Sequence, residues 1–142
     1  MYAILIQKIK DSLTATTGVA SFSTVPGTGI TQYPHVFFKP DGFTNEFLTG
    51  QENEVIYNFL MIVMVLAEGT GGGSDKAFAQ VLPSVVDNIV TRFNADWNGG
   101  VVNGHRIRVL IDSAGAWELS EEDNGLVAYA PLSVQIKVVV DV

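Results

Sequence analysis

The 142 residues contain no cysteine, which excludes disulfide frameworks, iron–sulfur clusters and thiolate zinc sites. Charge is scarce as well: 16% of residues are charged, against about 25% in an average soluble domain. Positive charge is scarcest, with eight Lys and Arg against fifteen Asp and Glu and a net charge of −7. That balance argues against tight, non-specific binding of a phosphate backbone, whose affinity comes from cation clusters. It leaves room for a surface that nucleic acid only slides past. Long apolar runs are missing too. The longest is nine residues, 59–67, where a membrane helix needs about 20. The opening Met1 to Lys8 lacks the basic n-region of a signal peptide, and there is no Asn-x-Ser/Thr acceptor. The expectation is a soluble protein made inside the cell, with no membrane partner.

What is present is apolar. Hydrophobic residues make up 47% of the chain and the mean hydropathy is +0.28. A single domain of residues 1–142 has much surface and few charges to cover it, so a subunit interface is the natural place for the excess. An oligomer is expected.

Periodicity places the elements. Tyr2, Leu5, Ile6, Ile9 and Leu13 keep a helical spacing over residues 2–14, with Gly18 as a stop. Residues 19–33 read as a short strand and a loop. Residues 34–38 read as a strand, Lys39-Pro40-Asp41-Gly42 as a turn, and 43–48 as the returning strand. Residues 54–67 are apolar at odd and even positions alike, which predicts a central strand covered on both faces. The glycine-rich run 69–73 is a loop, with Ser74 as N-cap of a long amphipathic helix. Pro83 either kinks that helix or marks its true first turn. The last third returns to strands: 105–111, then 116–119 and 126–130 around the acidic turn 121–125, then 132–141. The fold class is therefore α+β, a mainly antiparallel or mixed sheet with two helices on one face and a projecting β-hairpin.

Few residues point to chemistry. Gly69-Thr70-Gly71-Gly72-Gly73-Ser74-Asp75-Lys76 sits between a strand and a helix but lacks the Gly-Lys-Ser/Thr ending of a phosphate loop. Residues 120–131 lack strong ligands at the first and last positions of a calcium loop. His35 and His105 have no nucleophile or elbow motif beside them. No catalytic residue, metal ligand or cofactor is expected, and the chain does not read as an enzyme. Arg106 and Arg108 share one strand face, suited to a solvated surface or an intersubunit salt bridge. Residues 40–75 hold six acids and no base, an acidic counterpart within the same chain. Phe43 and Phe47, on the hairpin arm, are the aromatics expected to reach a neighbour.

The element order resembles that of the tail terminator, or tail-completion, proteins of long-tailed bacteriophages. An N-terminal helix leads to Tyr33-Pro34-His35-Val36-Phe37-Phe38 and the apolar strand from Glu54 to Val63. A loop then enters a long helix over 75–96, followed by strands to the end of the chain. The resemblance implies a structural virion protein, assembled in the host cytoplasm, that forms a ring of usually six copies. Such a ring caps the head-proximal end of the tail tube, stops polymerisation of the major tail tube protein and docks the head connector. It also implies a lumen through which genomic DNA passes without specific binding. An acidic lumen would repel the phosphate backbone, and Asp41, Glu46, Glu52, Glu121, Glu122 and Asp123 are its candidates. Phe43, Phe47, Arg106 and Arg108 are the candidates for subunit or tube contacts. A neighbouring neck or head–tail joining protein, a small-ligand-binding α+β domain, and a small hydrolase using His35 or His105 are the alternatives.

Overall fold

The structure, a computed structural model, describes residues 1–25, 30, 32–47, 52–67, 76–122 and 125–141. The apolar stripe near the N-terminus forms α1 (Tyr2–Ala15), which buries Leu5, Ile9 and Leu13. A short strand β1 (Ser21–Ser23) follows, then two long strands, β2 (His35–Phe47) and β3 (Glu52–Leu66). A π-helical turn (Ala77–Val81) runs into α2 (Leu82–Trp97). The chain ends with β4 (Val101–Val102), β5 (His105–Ser113), β6 (Glu118–Glu122) and β7 (Gly125–Asp141).

Seven strands make one sheet in the order β1-β2-β3-β7-β5-β4, with β6 also pairing with β7. Only β1 and β2 are parallel. The spine is the antiparallel pair β3–β7, in register from Glu52↔Asp141 to Leu66↔Val127. On its other side β7 meets β6 at residues 125–129 and β5 at residues 132–139. Pro131 falls at that change of partner. Its carbonyl accepts from the Ala114 N–H at 2.8 Å, so its nitrogen faces the same junction, where no ladder donor is required. The two segments read in the sequence on either side of Pro131 are therefore one 17-residue strand.

Both helices lie on one face. Their buried residues, including Leu5, Ile9, Leu13, Leu82, Ile89 and Phe93, pack on Val36, Phe38, Phe59, Met61, Val63, Val134 and Ile136. The expectation that β3 is covered on both faces is met in part. Its helix side is sealed, while Leu60, Ile62, Met64 and Leu66 on its second face are half-buried, and Phe37 and Val127, the register partners of Ile62 and Leu66, are buried. The two-sided apolar pattern reports sealing by helices on one side and partial cover on the other. Pro83 marks an early turn. Having no N–H, it breaks the regular ladder, and the preceding turn widens so that the Leu82 N–H reaches the Ala77 carbonyl five residues back.

A polar seam joins the helices. Trp97 Nε1–H donates to Ser12 Oγ at 3.1 Å, and Ser12 Oγ–H donates to Asp96 Oδ2 at 2.9 Å. Asp96 also accepts from Arg92 at 2.6 Å, and these bonds hold its carboxyl below the usual carboxylate range, the Arg92 bond contributing most. Lys8 Nζ stands 5.1 Å from the centre of the Trp97 ring. Ser12→Ala leaves a buried indole N–H without its acceptor. We expect a loss of about 1–3 kcal/mol, measured as a lower urea midpoint at unchanged slope.

Candidate interaction surface

The register of the long strands sorts every side chain onto one of two faces. On the face away from the helices, the rung nearest the end of β2 and the start of β3 reads Glu46, Glu54, Val139, Arg106 and Val101 across β2, β3, β7, β5 and β4. The next same-face rung reads Thr44, Ile56, Lys137 and Arg108. Further along lie Lys39, Leu60, Ser133 and Asp112. Acids thus occupy the β2–β3 side of that end and cations the β7–β5 side. Two like-charge pairs stand directly opposite across antiparallel strands, Glu46 with Glu54 and Arg108 with Lys137. Each such pair is mildly destabilising within one molecule. Glu54, Arg106, Arg108 and Lys137 line a shallow cleft of about 390 Å³ together with the chain at Gly99–Val101.

This arrangement depends on an irregularity in β2. The segment 39–42, expected as a hairpin turn, is a bulge inside a continuous 13-residue strand. The register passes from Pro40↔Phe59 to Phe43↔Tyr57, three steps on β2 against two on β3. Pro40 and Gly42 suit that role: proline is tolerated at bulges, and Gly42 has φ +89°, a left-handed value that favours glycine. Tyr2 Oη–H clamps the bulge by donating to the Gly42 carbonyl at 2.6 Å. Burial, then the neighbouring Tyr57 and Asp41, pushes the Tyr2 hydroxyl pKa upward. The inserted residue turns Phe43 to the helix side, where its ring lies 6.2 Å from that of Tyr57. It turns Glu46 onto the same face as Lys39.

Each residue singled out in the sequence has a place. Phe43 is 62% exposed at the β2 edge. Phe47 pairs with Asn53 at the end of β2. Asn53 Oδ1, in that pair, is buried with no donor among the described residues. Arg106 and Arg108 are exposed on β5, at the same end of the sheet as Phe43 but at its other lateral edge. Asp41 is exposed at the bulge and Glu46 near the end of β2, and Glu52 begins β3. Glu121 and Glu122 end β6, beside the start of β7. Asp123 lies outside the described residues, as do Ser74 and the glycine-rich run. The structure therefore does not unite the two acidic groups. Glu52 and Leu66 mark opposite ends of β3, so the acids near 46–54 and those of β6 stand about 45 Å apart along the strand.

His35 is buried on β2, opposite Met64 and beside Ser21 and Ser23 of β1. Ser21 Oγ–H donates to the Gln32 carbonyl at 2.7 Å, which leaves its oxygen to accept from His35 Nδ1–H. Ser23 Oγ–H then donates to Nε2 at 2.9 Å. The neutral ring is a peg that holds β1 to the sheet. His105 is half-buried at the start of β5. Among the described residues no three His, Asp or Glu side chains converge as a metal site, and no helix is long and apolar enough to cross a membrane.

Sequence reasoning passed over Lys39, Asp112 and Asn98. The charges of the first two were visible, but their shared level needs the bulge and the register. The Asn98 side chain accepts from the Val109 N–H at 2.9 Å, and the Gly100 carbonyl accepts from the Ile107 N–H at 3.1 Å. Together they cover part of the β5 edge, a common protection against uncontrolled strand addition.

The chain matches no known family, and no curated protein is significantly similar to it in sequence.

Burial lowers the His35 pKa from its ordinary 6.5. The folded ring stays neutral while the unfolded chain takes up a proton, so the stabilisation is whole above about pH 6.5 and is lost as pH falls. Urea midpoints between pH 7 and pH 5 are expected to fall more steeply for the wild type than for His35→Gln. Equal slopes would contradict this role.

Proposed function

We propose that this chain is a structural virion protein that acts by association: a subunit of a ring at the head-proximal end of a phage tail tube, where it ends polymerisation and docks the head connector. The observation that carries this reading is the placement of exposed apolar side chains at both lateral edges of one sheet. Phe43 stands on β2, and Val101 and Leu110 on β4 and β5. Different patches on opposite sides of one molecule suit head-to-tail contacts, and such contacts close into rings when the rotation closes. The half-buried apolar stripe of β3 adds further surface for a partner. The element order behind the family resemblance, from N-terminal helix to long apolar strand, helix and final strands, is also the order of the folded chain.

In this reading the mechanism is recognition. Extended strands with incompletely covered edges offer backbone groups to tube subunits. The exposed Glu118 and Glu121 of β6 stand at the end of the sheet opposite Arg106, Arg108 and Lys137. We assign them to the acidic lumen or rim, where they would repel DNA in transit. The cleft beside Arg108 favours a second reading, a domain that binds a small anion there.

Native mass spectrometry of the purified chain, alone and with tail-tube subunits, tests the proposal. We expect a closed ring near six copies, or a monomer that assembles only on the tube. A monomer that persists at all concentrations and ignores the tube subunit overturns it.

A further inference from the structure

We propose that the β2 edge of one copy docks against the β4–β5 edge of the next, with Glu46 received by Arg108 and Lys39 received by Asp112. This contact rests on the ring reading and specifies its partner surface. Three observations carry it. First, β2 and β5 are three antiparallel steps apart in the sheet. They therefore run in opposite directions, and rotation about an axis parallel to the strands brings β2 of one copy beside β5 of another as an antiparallel neighbour.

Second, the charges of the two edges match level by level. Glu46 shares its rung with Arg106, one same-face step from Arg108, and Lys39 shares its rung with Asp112. Both levels are separated by the six residues from Glu54 to Leu60 on β3, about 20 Å. Cyclic rotation about that axis adds no shift along the strands, so Lys39 meets Asp112 at its own level while Glu46 stands one same-face step, about 7 Å along the strand, from Arg108, a gap that the two long side chains span. The β2 bulge is essential: with a regular strand, Lys39 and Glu46, seven positions apart, would face opposite sides of the sheet.

Third, all four side chains are exposed, and none forms an ion pair among the described residues. Arg108 faces Lys137 across the ladder and Glu46 faces Glu54. Each side of the sheet sets a like-charge pair across a ladder, and the opposite charge carried by the other edge relieves it. A chain with net charge −7 repels its own copies unless its few cations are concentrated where copies touch. The same repulsion disfavours a nucleic acid in this cleft. Asn98 and Gly100 already hold the Val109 and Ile107 amides, so at that level the contact is made by side chains.

The test is charge reversal read by native mass spectrometry and sedimentation, with the tube subunit added if the wild type needs it. Glu46→Lys and Arg108→Glu are each expected to weaken self-association about tenfold or more, with unchanged circular dichroism and a urea midpoint no lower than that of the wild type. The double variant carrying both reversals on one chain is expected to recover assembly, and so is a mixture of the two single variants. Single variants that assemble like the wild type overturn this contact and leave the ring reading standing. Loss of assembly that neither the double variant nor the mixture recovers overturns the pairing of these residues. A wild type that remains monomeric with and without the tube overturns both.

Discussion

The antiparallel ladder between β3 and β7 is the constraint on which the rest of the molecule depends. It runs the full 15 residues of β3; β2, β5 and β6 pair with one of its two members, and β1 and β4 join through β2 and β5. Because side chains alternate along a strand, that ladder divides the molecule into two surfaces. One is sealed by α1 and α2 and holds Phe59, Met61, Val63, Val134 and Ile136 at near-zero exposure. The other carries an apolar stripe of intermediate burial flanked by the charges of β2 and β5. The main core lies on the helix side, which leaves the half-buried stripe of the second face and the lateral edges available for contact.

Departures from regularity then decide what those surfaces present. The bulge at residues 40–43 selects which half of β2 faces the helices, Pro131 allows β7 to change partners, and the π-helical turn accommodates Pro83. In each case a residue unsuited to a regular element stands where the element is interrupted, and the interruption repositions its neighbours. The His35 peg is similar in kind. Two serines of a three-residue strand, too short to pair strongly alone, are fixed by one buried ring.

Much of this was legible in the sequence. The helix periods at Leu5-Ile9-Leu13 and Val85-Ile89-Phe93 and the alternation at Ile107-Val109 and Val134-Ile136-Val138 identified the elements and their buried sides. The class, two helices on one face of a mainly antiparallel sheet, followed from them. The bulge was not legible, because Lys39-Pro40-Asp41-Gly42 has the composition of a reverse turn and only pairing with residues 57–60 distinguishes the two. Nor was the β3 second face, since a run of apolar residues specifies that water is excluded without specifying what excludes it. The candidate residues Arg106 and Arg108 were found as a same-face pair by alternation alone. Their opposition to Lys137 and their level with Glu46 are properties of register, which connects residues some thirty to sixty positions apart.

The central claim is that the lateral edges of the sheet meet other subunits while the helix layer serves the core. Amide hydrogen exchange, compared between dilute monomer and assembled protein, tests it directly. The account predicts that slowed exchange on assembly is concentrated in residues 38–46 of β2 and in β4 and β5, with α1 and α2 unchanged. Slowing concentrated in the two helices, with the β2 and β5 edges exchanging as in the monomer, would contradict it.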